Sequence, residues 1–197
     1  MTDPTPHLFW ITSRAAGTAA LLLSSFGVSI GLLMGGRLVR RRPAKGGPEG
    51  VAPQRDLRST HEAVSLATLV AIAVHGLALL GDGFLHPSLA DISVPFVSAY
   101  KTGWTATGIV AGWGLALLGL SYYARKWIGP RRWRSLHRFT VLAWALGVIH
   151  SLGEGTDSGQ RWFMVMVAIA VVPPVLLFAA RVTGLGRQRA ATARGAA

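Results

Sequence analysis

Two stretches decide the fold, HEAVSLATLVAIAVH (61–75) and HRFTVLAWALGVIH (137–150). Each is a long apolar run closed at both ends by histidine. A histidine inside a hydrocarbon-spanning segment is costly unless it has a partner, so four of them in two matched pairs mark a functional site by default. At about 1.5 Å rise per residue, the fourteen-residue step from His61 to His75 spans about 21 Å and the thirteen-residue step from His137 to His150 about 19 Å. Each pair therefore reaches from near one face of a roughly 30 Å hydrocarbon core to near the other. At about 100° per residue, fourteen steps return to within about 40° of the starting face, so both imidazoles of the first stretch address one neighbour. Thirteen steps leave about 140°, which requires a tightened turn, a tilted helix, or a different flank presented at each level.

Composition sets the medium. The chain is 51% hydrophobic and only 14% charged, well below a soluble domain's usual quarter. It reads as an all-α integral membrane bundle. There is no cysteine, which excludes disulfides, thiolate metal sites and thiolate-held iron–sulfur clusters.

Outward from the histidine stretches, five spans are expected, at about 9–36, 60–81, 103–124, 135–153 and 162–181. The first has an uncharged core from Ala15 to Gly36, with Phe9 and Trp10 as interfacial aromatics. Met1 to Ser13 carries no Lys or Arg, so a retained helix is expected rather than a cleaved secretory leader. Gly27, Gly31, Gly35 and Gly36 on this span suit close helix packing. The second span is followed by a polar, Pro-punctuated connection from Gly81 to Gly103, and the third ends in a Tyr122–Tyr123 belt. The fourth is the shortest and borrows Ser135 to Arg138 to cross, with Arg138 snorkelling to the surface. Pro173–Pro174 should kink the fifth, and residues 182–197 read as a flexible, frayed basic tail beyond a single membrane domain, 1–181.

The formal charge of +12 invites a nucleic-acid reading, but its distribution argues against one. Of the twenty Lys and Arg, seventeen lie in the first connection, the third connection and the tail. With five spans these fall on one side, which the positive-inside rule makes cytoplasmic, leaving the N-terminus outside and the C-terminus cytoplasmic. Asp3, Asp82, Asp91, Glu154 and Asp157 fall on the opposite side.

This topology makes the second and fourth spans parallel, so His61 and His137 share the inner level and His75 and His150 the outer one. Two imidazoles from separate helices at one depth match bis-histidine axial ligation of a haem iron. Zinc and copper usually want further ligands, and only Glu62, beside the inner pair, offers one. The competing reading is four histidines that hydrogen-bond helices together.

The two-histidine helices resemble the ferric reductase-like transmembrane domain shared by NADPH oxidases, eukaryotic ferric reductases and the haem-binding membrane subunit of bacterial periplasmic methionine sulfoxide reductase systems. Its NADPH oxidase branch has the same fourteen and thirteen spacing as His61/His75 and His137/His150. The resemblance covers roughly Leu8 to Arg181 and implies two b haems stacked across the bilayer, the inner on His61 and His137 and the outer on His75 and His150. Arg14, Arg58 and Arg138 are candidate partners of haem propionates, and Trp144 a candidate for packing between the haems. His7 and His86 lie outside the spans and read as solvated, with His86 a lesser candidate for touching a substrate or metal.

NADPH oxidases and ferric reductases continue into flavin and nicotinamide domains, whereas no Gly-rich dinucleotide fingerprint stands here. The electron donor is thus expected to be a separate flavoprotein, a quinol or another membrane subunit, and the acceptor is separate too. Three readings remain: an electron-transfer subunit of a bacterial cytoplasmic membrane oxidoreductase, a quinone-linked cytochrome b anchor, and a non-redox transporter whose histidines relay protons.

Overall fold

The computed structural model describes residues 7–35 and 52–194, with the side chains of 52–55 and 185–194 excepted. All secondary structure among the described residues is helical: α1 (Leu8–Gly35), α2 (Ala52–Leu79), α3 (Leu89–Ser93), α4 (Thr102–Leu120), α5 (Arg125–Ile128), α6 (Pro130–His137), α7 (Thr140–Glu154) and α8 (Arg161–Arg194). Four of these, α1, α2, α4 and α8, are long and apolar enough to cross a membrane. The fifteen residues of α7 rise only about 22 Å, short of a roughly 30 Å hydrocarbon core.

The shortness of α7 corrects the continuous span expected over 135–153. The helix breaks at Arg138–Phe139, where the Phe139 N–H donates to Leu136 O at 2.9 Å, a three-residue rather than four-residue closure. His137 therefore ends α6 and His150 belongs to α7. Three other boundaries move. Helix α2 begins at Ala52, because Pro53 falls in its first turn, where a missing N–H costs nothing. Helix α4 stops at Leu120 and gives way to turns through Ala124. Helix α8 runs through Pro173 and Pro174 and on to Arg194, so the backbone expected to fray is helical, as its Arg, Gln and Ala content favours. The basic residues of 36–51 and the last three residues of the tail lie outside the described residues.

Helix α1 lies along α2, α4 lies along α7, and the two pairs meet where α1 touches α7 and α2 touches α4, with α8 laid against α1. The histidine-bearing helices α2 and α7 do not pack along one another. A core of Leu21 from α1, Trp144 and Val148 from α7, and Phe163 and Val167 from α8 holds the pairs together. At its centre the Trp144 indole N–H donates to the buried Ser25 hydroxyl at 2.9 Å. Polar side chains such as Ser13, Ser25 and Thr68 are buried, while Val70, Leu117, Ile169 and Leu176 are largely exposed. Small and polar groups inside with branched aliphatics outside is the arrangement that helices in lipid require, since backbone and hydroxyl groups must be satisfied internally.

Trp144→Phe keeps the packing but strips Ser25 of its buried partner. It should lower stability by about 1–3 kcal/mol, read as a lower midpoint in thermal unfolding of the detergent-solubilised protein, whereas Leu117→Ala on the exposed surface should leave the midpoint nearly unchanged.

Candidate functional site

The four histidines meet in twos. The rings of His61 and His137 have centroids 6.3 Å apart with planes at 87°, and those of His75 and His150 are 6.2 Å apart at 71°. Since His61 and His75 lie in that order on α2, this pairing requires α7 to run in the same direction as α2.

Each ring is held from behind by the companion helix. The Nδ1 of His61 lies 3.0 Å from Gly27 O and that of His75 lies 2.8 Å from Ser13 O, both on α1. The Nδ1 of His150 lies 2.9 Å from Trp104 O and that of His137 lies 3.3 Å from Leu118 O, both on α4. A carbonyl only accepts, so Nδ1 carries the hydrogen at all four rings and Nε2 is the nitrogen left with a lone pair. The acceptors Ser13 and Gly27 are fourteen residues apart, like His61 and His75, and so are Trp104 and Leu118, although the histidines they meet are thirteen apart.

A carbonyl in mid-helix already accepts from the N–H four residues on, and the side chain at that position covers it, because helical side chains lean back over the preceding turn. Three of the four acceptors are uncovered by a glycine at that position: Gly17 after Ser13, Gly31 after Gly27, and Gly108 after Trp104. A methyl group at Gly108 would come within 2.5 Å of His150 Nδ1, one at Gly17 within 2.9 Å of His75 Nδ1, and one at Gly31 within 3.3 Å of His61 Cε1. At the fourth the helix itself ends. The Tyr122 N–H turns to Gly119 O, leaving the Leu118 carbonyl to the Ser121 hydroxyl at 2.6 Å and to His137.

This arrangement suits a metal with two protein ligands. A ligating ring nitrogen sits about 2 Å from its metal and about 1 Å from its ring centre, so two rings flanking one metal have centres about 6 Å apart. Both pairs meet that separation. Hydrogen-bonding the second ring nitrogen to a carbonyl is also how metal-ligating histidines are usually oriented. No group of three His, Asp or Glu side chains suited to a metal occurs among the described residues. Glu62, the one candidate third ligand, accepts instead from the Tyr123 hydroxyl at 3.0 Å. Two imidazoles with ring centres at this separation, and no third protein ligand among the described residues, fit the iron of a planar tetrapyrrole, which brings its other four ligands itself.

The remaining candidates divide. Arg14 is ion-paired with Asp157 and lies 4.4 Å over the Trp10 ring, so its charge is already met by the protein. Arg58 and Arg138 are exposed and have no ion-pair partner among the described residues. Trp144 packs in the core between α1, α7 and α8. His7 and His86 are exposed. Sequence reasoning missed Gly17 and Gly108, and it missed Trp133, which stacks on His137 at 5.0 Å and 26°. The available signal was a glycine four residues after the residue level with three of the four histidines.

Comparison with protein-family models, with curated proteins and with solved structures found no match.

Nitrogen-15 NMR of histidine-labelled protein should show the four half-buried rings of His61, His75, His137 and His150 protonated at Nδ1. Gly108→Ala should remove one of those signals by displacing His150, while Gly76→Ala, whose added methyl meets nothing within 4 Å, should leave all four.

Proposed function

We propose that this chain is a di-haem b electron-transfer protein of the ferric reductase-like kind, seated in a bacterial cytoplasmic membrane. The observation that carries the reading is the double pairing: two imidazole couples at 6.3 and 6.2 Å, all four rings pinned through Nδ1. His61 and His137 would hold one haem and His75 and His150 the other; a bound haem supplies reversible one-electron chemistry at its iron. The protein's part is to keep those ligands still. Each ring is hydrogen-bonded to a carbonyl inside a helix or at its end, so its orientation does not depend on a loop. Fixed ligands keep the environment alike in both oxidation states, which favours fast transfer without large motion.

The fourteen-residue step along α2 separates the two levels by about 21 Å. That separation is close to what two redox centres at opposite levels of a roughly 30 Å hydrocarbon core need, which favours a conduit across the bilayer. Counting α6 and α7 together as a crossing gives five spans, with the N-terminus outside and Arg125, Lys126, Arg131, Arg132 and Arg134 inside. Electrons would then pass from a separate cytoplasmic or membrane donor, a flavoprotein or a quinol, to an extracytoplasmic acceptor. The quinone-linked anchor uses the same four ligands and differs in donor, so reduction by quinol or by a reduced flavoprotein separates the two.

A pyridine haemochrome assay on protein from haem-replete cells should give close to two b haems per chain, and a wild-type protein with none would overturn the reading. His75→Ala should halve that number. In intact cells, Ser158→Cys should react with an impermeant thiol reagent and Lys126→Cys should not; the opposite pattern would reverse the direction of transfer.

A further inference from the structure

The inner pair has a feature the outer pair lacks. Trp133 sits one turn before His137 on α6, and its indole stacks on the imidazole at 5.0 Å and 26°. Tyr122 packs edge-on against the same indole at 5.8 Å, and the Arg125 guanidinium lies 4.0 Å over the Tyr122 ring. The indole is thus held in place from two directions. Its Nε1, however, is buried and has no hydrogen-bond partner among the described residues. Two other indoles show the usual outcome: Trp144 donates to Ser25 and Trp113 to Ser93 O. A buried indole N–H without an acceptor is destabilising, and packing alone gives no reason for the nitrogen, since a phenyl ring stacks on imidazole as well.

An indole nitrogen is only a donor, so whatever meets it must be an acceptor. The surroundings favour an anion. The segment from Arg125 to Arg138 carries Arg125, Lys126, Arg131, Arg132, Arg134 and Arg138 and no Asp or Glu. We infer that Trp133 is a positioning residue of the inner pair, stacking on His137 and donating its indole N–H to an anionic oxygen of the group that His61 and His137 grip. Resting on the haem reading above, that oxygen belongs to a haem carboxylate; the other local source of anionic oxygen is a lipid phosphate.

A donor on a haem carboxylate draws off negative charge near the iron, and so favours the reduced state. Trp133→Phe keeps the stacking and deletes the donor. In the haem-loaded protein it should lower the midpoint potential of one haem and leave the other unchanged, with the affected haem being the one lost in His61→Ala. After reconstitution with haem dimethyl ester, the difference between wild type and Trp133→Phe should disappear. A difference that survives esterification but vanishes in phosphate-free detergent would assign the N–H to lipid and overturn the inference, as would equal potentials with native haem. In the unmutated protein the Trp133 indole proton resonance should move when haem is replaced by its dimethyl ester, and no movement would also overturn it. A wild-type chain that takes up no haem would overturn the functional reading itself, an outcome distinct from all of these.

Discussion

The hydrogen bond from an imidazole Nδ1 to a helix carbonyl organises this molecule. It is made four times, always between a histidine-bearing segment and its companion, α1 for the first pair and α4 for the second. Because a helix carbonyl is normally covered, the bond dictates where side chains must be missing, and Gly17, Gly31 and Gly108 stand at those places. These glycines bring helix axes close, but their more specific effect is to bare one oxygen each. The bond also dictates spacing. A companion helix that serves two levels must present carbonyls one such interval apart, and both α1 and α4 do so with a step of fourteen residues, like α2.

That division of labour explains the packing. If α2 were packed tightly along α7, the rings would have to fold away from the interface. Instead α2 leans on α1, α7 leans on α4, and the two units are joined by the Leu21, Trp144, Val148, Phe163 and Val167 core and by α2 against α4, where Ile72 meets Gly112. Burying Ser25 with Trp144 there gives the joint a directional contact as well as an apolar one. Directional contacts matter in a bilayer, where apolar side chains gain little by leaving lipid for protein.

What was legible in the sequence follows from what is local. The helices α1, α2, α4 and α8 are long uninterrupted apolar runs, and the pairing of His61 with His137 follows from counting spans. The partners of Nδ1 were not legible, because Ser13 and His75 are sixty-two residues apart and nothing in either stretch names the other. The same holds for Arg14 and Asp157: an arginine at a helix entrance looks unattached until the chain returns with an acid. Helix α8 continuing to Arg194 was obscured by Gly184 and Gly186, which lower propensity without forbidding helix.

The thirteen-residue step between His137 and His150 illustrates how a local irregularity serves a global constraint. On one straight helix those rings would point about 140° apart, and a second helix could not meet both. That phase relation applies only within a single helix, however, and the chain is not one helix there. The turn at Arg138–Phe139 ends α6 at His137, so the His137 ring takes its direction from α6 and the His150 ring from α7. Helix α6 in turn is oriented by its own contacts, above all Trp133 against Tyr122. Breaking a helix leaves backbone groups without intrahelical partners, which is tolerable near the end of a span but costly in mid-bilayer. The break falls directly after His137 and at Arg138, close to the basic end of the bundle, where water and headgroups can satisfy those groups. A fourteenth residue would have restored the phase and made the break unnecessary; with thirteen, the break is what lets two parallel segments offer both rings to α2.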